Sequence, residues 1–217
     1  MTRQHVLRWV LKPLVFLAAL GPVAYLTWAA FTDNLSANPI SDITLETGTW
    51  ALRFLVMTLA VTPLRRLTHW NDLIRFRRML GLFAFFYGTL HFTTYLWLDQ
   101  FFDLTGIAQD IWKRPFITVG FTAFVALLPL AITSTAGWVR RLGGKNWQRL
   151  HRLIYLAAVC GVVHYWWLVK SDVQRPMIYG LIFATLLGYR VVVAIRRRAP
   201  KPAVASRSSD GLLRRPS

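Results

Sequence analysis

The side chains of this 217-residue chain best suited to metal or redox chemistry are five histidines, one cysteine and nine Asp and Glu. Cys160 stands alone. It excludes an intramolecular disulfide and any Cys-based metal or iron–sulfur site, which need two to four thiols. Chemistry here must use histidine or a bound organic group. His91, His151 and His164 fall inside apolar runs, where an ionisable side chain is costly and marks function by default. His91 lies 12 residues beyond Met79 and His164 lies 14 beyond Leu150. If both runs cross a membrane in the same direction, each imidazole stands about 18–21 Å above the cytoplasmic end, in the outer half of the bilayer. A single intramembrane histidine is more often a helix–helix hydrogen-bond partner. Two at matched depth on different helices form the geometry that grips a heme iron from both faces. A zinc site would need two further ligands, and no Cys, Asp or Glu is available at that depth.

His151 precedes His164 by 13 residues, which puts it about 19.5 Å lower and about 140° round the helix. It is a possible ligand of an inner heme, but the matching positions 13 or 14 residues before His91 are Arg78 and Arg77, neither an ordinary iron ligand. His69 is read as a loop histidine and His5 has no assigned role. Arg53 either snorkels to the headgroups or pairs with a heme propionate. Arg77 and Arg78, with the other cytoplasmic arginines, either contact a propionate or second site or set topology. Gly81, Gly88 and Gly161 either admit a flat macrocycle or serve close helix packing.

Six apolar runs must position these residues: 13–31, 48–64, 79–98, 116–138, 150–169 and 177–195. A span needs about 20 apolar residues, so the expectation is an all-α, polytopic membrane helix bundle with six transmembrane helices. Pro13, Pro115 and Pro176 open runs, where a missing N–H costs a helix little. Pro63 is expected to close the second. The first run follows Arg3, Arg8 and Lys12 and competes with a signal peptide, but has no small-x-small cleavage site after it.

Hydrophobic residues make up 55% of the chain and the mean hydropathy is +0.40, yet the net charge is +17. These coexist because the charge is segregated. With six spans, 20 of the 26 Lys and Arg fall on one side and only Lys113, Arg114, Lys170 and Arg175 on the other. Seven of the nine acidic residues share the Lys/Arg-poor side. The positive-inside rule then places both termini in the cytoplasm, with the basic side facing anionic membrane lipid rather than nucleic acid. The expected layout is a basic N-terminus at 1–12, the transmembrane domain at 13–196 and a disordered basic tail at 197–217.

The stretches TPLRRL (62–67), RRMLGLFAFFYGTLHFTTYLWLD (77–99), RPFITVGFTAFVALLPLAITST (114–135) and NWQRLHRLIYLAAVCGVVHYWW (146–167) resemble the MsrQ (YedZ) family. These are heme-binding membrane subunits of periplasmic protein-methionine-sulfoxide reductase, within the ferric-reductase-like transmembrane group. The resemblance implies a bacterial inner-membrane protein that binds heme b and FMN. It implies electrons taken from the quinone pool or a cytosolic flavin reductase and passed to MsrP, a periplasmic molybdopterin subunit. It implies His91 and His164 as iron ligands, with His151 matching a further histidine. Arg77 and Arg78 stand where the wider group places a fourth.

The expected role is a non-catalytic electron-transfer subunit, docking its partner through outer loops 32–47, 99–115 and 170–176, whose acidic character suits a basic patch. Two alternatives remain open: a ferric-chelate reductase, and a six-span transporter using His91 and His164 as proton relays.

Overall fold

The computed structural model describes residues 3–169 and 173–198, all of it helix and connecting turn. Residues 170–172 of the third outer loop and the tail from 199 lie outside the described residues. A short helix α1 (Arg3–Val6) and a π-helical turn at Leu7–Leu11 lead without a break into α2 (Lys12–Phe31). Then follow α3 (Pro39–Thr68), α4 (Arg77–Thr94), α5 (Leu104–Lys113), α6 (Pro115–Ile132), α7 (Ala136–Leu142), α8 (Gly144–Leu150), α9 (Leu153–Leu168) and α10 (Gln174–Arg198).

Among the described residues, four helices are long and apolar enough to cross a membrane: Gln4–Phe31, Pro39–Thr68, Pro115–Ile132 and Gln174–Arg196. The chain is a multi-pass membrane protein. The third and fifth apolar runs form shorter helices. α9 has 16 residues, and α4 spends two of its 18 on Arg77 and Arg78. These are the helices that carry His164 and His91.

Several boundaries differ from the sequence expectation. α3 begins nine residues before the apolar run, capped by the Asn38 side chain, which accepts from the Ser41 N–H. Asp42 in its first turn and Arg65 and Arg66 in its last complement the helix dipole. Pro63 does not close it. The helix runs on to Thr68 and ends at His69 in the left-handed conformation, φ 55°. Proline at 63 removes the N–H that would bond the Leu59 carbonyl. The Arg190 guanidinium of α10 takes that acceptor instead, at 2.7 Å. The fourth run breaks at Ile132 rather than continuing to Trp138. Thr133 and Ser134 fold their hydroxyls back onto the Pro129 and Leu130 carbonyls, and Thr135 caps α7 by accepting from the Trp138 N–H. Gly143, at φ 73°, makes the turn from α7 into α8.

The most intimate pairings are α3 with α4 and α6 with α9. α4 meets α6 and α3 meets α9 between the two pairs, and α10 and α2 pack outside them. Lipid tails are as apolar as side chains, so close packing and hydrogen bonds hold such a bundle together. Ala84, Ala157 and Ala158 are completely buried at the centre, where a small side chain permits close helix approach. Phe54 stacks on Tyr87 with ring centroids 5.3 Å apart. The Tyr87 hydroxyl donates to the Ala19 carbonyl and accepts from the Val23 N–H, entering the backbone ladder of α2 just after Pro22.

Candidate functional site

α3 and α6 begin, and α4 and α9 finish, at one end of the bundle, the end that also carries Asp33, Asp42, Glu46, Asp99, Asp103 and Asp110. Here, from opposite helix pairs, the His91 and His164 rings come within 6.0 Å, centroid to centroid, with their planes 77° apart.

Each ring is pinned in the same way. His91 Nδ1 lies 2.8 Å from the Thr44 carbonyl oxygen on α3. His164 Nδ1 lies 2.7 Å from the Phe116 carbonyl oxygen on α6. A carbonyl oxygen only accepts, so both Nδ1 atoms carry the proton and donate. In a neutral imidazole that leaves Nε2 as a free lone pair, the state in which histidine serves as a metal ligand. The ring of Phe116 also packs beside His164, 6.2 Å between centroids.

The contacts with the partner helices are unusually close. An added Cβ on Gly48 would sit 3.0 Å from His91 Nδ1, and one on Gly120 would sit 2.6 Å from His164 Nδ1. Sequence reasoning missed both glycines and pointed instead to Gly81, Gly88 and Gly161. Those face Thr58, Leu127 with Phe124, and Leu52 respectively. The only signal available was a glycine inside an otherwise strongly apolar helix.

The structure does not bring His151 to this pair. It follows α8 at the opposite, basic end, beside a cavity of about 290 Å³ lined by Arg77, Arg78, Gly81, Ser134 and Trp147 among others. Trp147 stacks on its ring at 3.8 Å and donates Nε1–H to the Thr133 carbonyl. His151 Nε2 lies 3.1 Å from Thr133 Oγ1. That hydroxyl already donates to the Pro129 carbonyl. It therefore accepts from His151, whose proton sits on Nε2. In the sequence Arg53 stands five residues into the run 48–64. Because α3 starts at Pro39, it lies 14 residues in, about 21 Å along the helix, and its guanidinium covers the Trp50 ring at 4.4 Å. Among the described residues no three His, Cys, Asp or Glu side chains converge as a metal cluster.

An all-helical membrane bundle with paired histidines on two helices defines a class. The model of the ferric reductase like transmembrane component matches residues 47–162 of this chain. The chain is thus a membrane protein of the ferric-reductase-like type. Among curated proteins it is 58% identical over 201 residues, 92% of each chain, to the protein-methionine-sulfoxide reductase heme-binding subunit MsrQ of Herminiimonas arsenicoxydans. It is 55% identical over 193 residues to the protein of that name from Azospira oryzae, covering 88% of this chain and 83% of that one. With the MsrQ of Xanthomonas campestris pv. campestris it shares 52% over 205 residues, 88% of this chain and 94% of that one. The chain belongs to the MsrQ family. No solved structure matches it.

Proposed function

We propose that this chain is the heme b electron-transfer subunit of a periplasmic protein-methionine-sulfoxide reductase system, with His91 and His164 as the two iron ligands. The observation that carries the reading is the matched pair of imidazoles, 6.0 Å apart, each with Nδ1–H held by a backbone carbonyl. Each Nε2, left without a proton, is free to bind a metal, so these two side chains would hold the iron. The residues fit the group. Heme iron bound there would supply reversible one-electron transfer, tuned by the two histidines and their hydrogen bonds. The chain's own contribution is to hold both imidazoles in one tautomer, fix their rotation and surround them with low-dielectric helix.

In this reading α2, α3, α4, α6, α9 and α10 make six spans within 13–196, both termini face the cytoplasm, and the membrane is the bacterial inner membrane. The side with few Lys and Arg faces the periplasm. The catalytic partner is a molybdopterin subunit, MsrP, and the donor is the quinone pool or a cytosolic flavin reductase. Reducing methionine sulfoxide takes two electrons and two protons and releases water. None of that chemistry requires a residue of this chain to touch the sulfoxide. His151, Arg77 and Arg78 around the basic-end cavity are candidates for a second site, an inner heme or FMN. Arg53 is a candidate for a propionate.

Visible spectra of the purified protein test the assignment. A Soret band is expected in the parent, and His91→Ala and His164→Ala should each abolish it. A band retained at undiminished intensity in both variants overturns the ligand assignment, and a parent without one returns the proton-coupled transporter. Methionine-sulfoxide-dependent oxidation of the reduced protein, seen only with the molybdopterin subunit added, separates sulfoxide repair from ferric-chelate reduction.

A further inference from the structure

Resting on the histidine-ligand reading above, we propose that Gly48 and Gly120 are positioning residues, two matched notches that let each histidine ring lie against a neighbouring helix backbone. The device appears twice. In each case the carbonyl that receives Nδ1–H belongs to the residue four positions before the glycine, Thr44 before Gly48 and Phe116 before Gly120. Residues four apart stack on one helix face, so the glycine is the site a turn above the acceptor, where a Cβ would stand in the path of the ring. The sequence distance from acceptor to histidine is also nearly the same, 47 and 48 residues. The α3–α4 and α6–α9 pairs thus repeat one arrangement.

Among the described glycines, only these two would place a Cβ within 4 Å of an imidazole. Glycine weakens a helix interior relative to alanine, so its presence at both notches has a positional explanation. The two notches differ in tightness. At Gly120 the added carbon would meet His164 Nδ1 at 2.6 Å, Cε1 at 2.8 Å and Cγ at 3.0 Å, contact with the whole edge of a ring that is tied down. At Gly48 it would meet His91 Nδ1 at 3.0 Å and Cε1 at 3.1 Å, which a displacement of a few tenths of an ångström relieves. Gly120→Ala must therefore break the bond to the Phe116 carbonyl, while Gly48→Ala lengthens and tilts the bond to Thr44.

The experiment compares Gly120→Ala, Gly48→Ala and a packing control, Gly180→Ala, whose Cβ would meet Val162 at an ordinary 3.7 Å. The readouts are heme-to-protein ratio, low-spin EPR signal and reduction potential. Removing hydrogen-bond support behind a ligating histidine costs roughly 10–100-fold in metal affinity. Gly120→Ala should lose heme on that scale, Gly48→Ala should keep heme with an altered EPR signal and potential, and Gly180→Ala should match the parent. If Gly120→Ala is not recovered folded, the Gly48→Ala signal decides. Parent-like EPR and potential in Gly48→Ala and, where it folds, Gly120→Ala would overturn the proposal. His164→Ala run alongside keeps the two readings apart, since a band retained there refutes the ligand assignment rather than the notch. In that event nitrogen-15 NMR of the heme-free protein settles the notch. The parent should show both rings protonated at Nδ1 and Gly120→Ala should lose this at His164; unchanged tautomers refute it.

Discussion

The two ends of the helix bundle hold histidine in opposite states. At the acidic end, His91 and His164 donate from Nδ1 to main-chain carbonyls and keep Nε2 open. At the basic end, His151 gives its Nε2–H to Thr133 and has a ring face covered by Trp147. Residue type is the same in the three cases. What differs is the partner: a carbonyl can only accept and so fixes a tautomer from one side, whereas a hydroxyl accepts from His151 because its own proton is already committed to the Pro129 carbonyl. Two rings lie 6.0 Å apart at one end, and a single ring lines a cavity together with two arginines at the other.

The sharpest way to break this contrast is to remove each histidine in turn. His91→Ala and His164→Ala should each eliminate the visible band, while His151→Ala leaves the low-spin signal of the His91–His164 site in place, read by EPR of purified membranes. Loss of that signal in His151→Ala would mean that the two ends are not independent. The 77° between the paired ring planes adds a spectroscopic expectation. Imidazoles held near-perpendicular on a bound heme iron would give a strongly anisotropic low-spin spectrum, and a spectrum typical of parallel rings would contradict the geometry.

Smaller effects compare two places where a side chain hydrogen-bonds the backbone of a proline-containing helix. Arg190→Leu leaves the Leu59 carbonyl without a donor, since Pro63 has no N–H, and should destabilise by about 1–3 kcal/mol, the cost of an unsatisfied buried acceptor. Tyr87→Phe should cost less, about 0.6–1.7 kcal/mol, the range for side-chain hydrogen bonds in membrane proteins. There the Val23 N–H and Ala19 carbonyl are four residues apart and can bond each other once the hydroxyl is gone. Thermal melts in one detergent check the order, and a larger drop for Tyr87→Phe would refute it.

The smallest expected effect is the salt dependence of partner docking. Of the acidic-end carboxylates, Asp110 is paired with Arg114 at 3.1 Å, Asp103 accepts from the Thr105 N–H and Asp42 from the Ser36 N–H. Much of the acidic character is therefore engaged within the chain, and raising salt should weaken docking only a few-fold over the range in which the Debye length falls from about 10 Å to about 3 Å. An affinity indifferent to salt would remove electrostatics from the docking model.

Much of the site was legible because it depends on local periodicity. Apolar runs locate helices, and counting residues along two runs places His91 and His164 at comparable heights, which needs only a fixed rise per residue. The helix ends were less legible. Asn38 capping α3, and Thr133 to Thr135 breaking the fourth run, act through single side-chain hydrogen bonds that hydropathy does not register.

What the sequence determined by itself was therefore the class of molecule: an apolar, helical chain with segregated charge, a lone thiol and two histidines set on separate helices, together with a recognisable family. What only the tertiary structure decided was which groups the histidines meet. Thr44 and Gly48 reach His91, and Phe116 and Gly120 reach His164, across more than 40 residues of chain, and the donor that lets α3 run through Pro63 lies 131 residues from its acceptor. Helix periodicity is a short-range property of the backbone. Contacts between helices depend on rotation and tilt, which arise only when several faces pack at once.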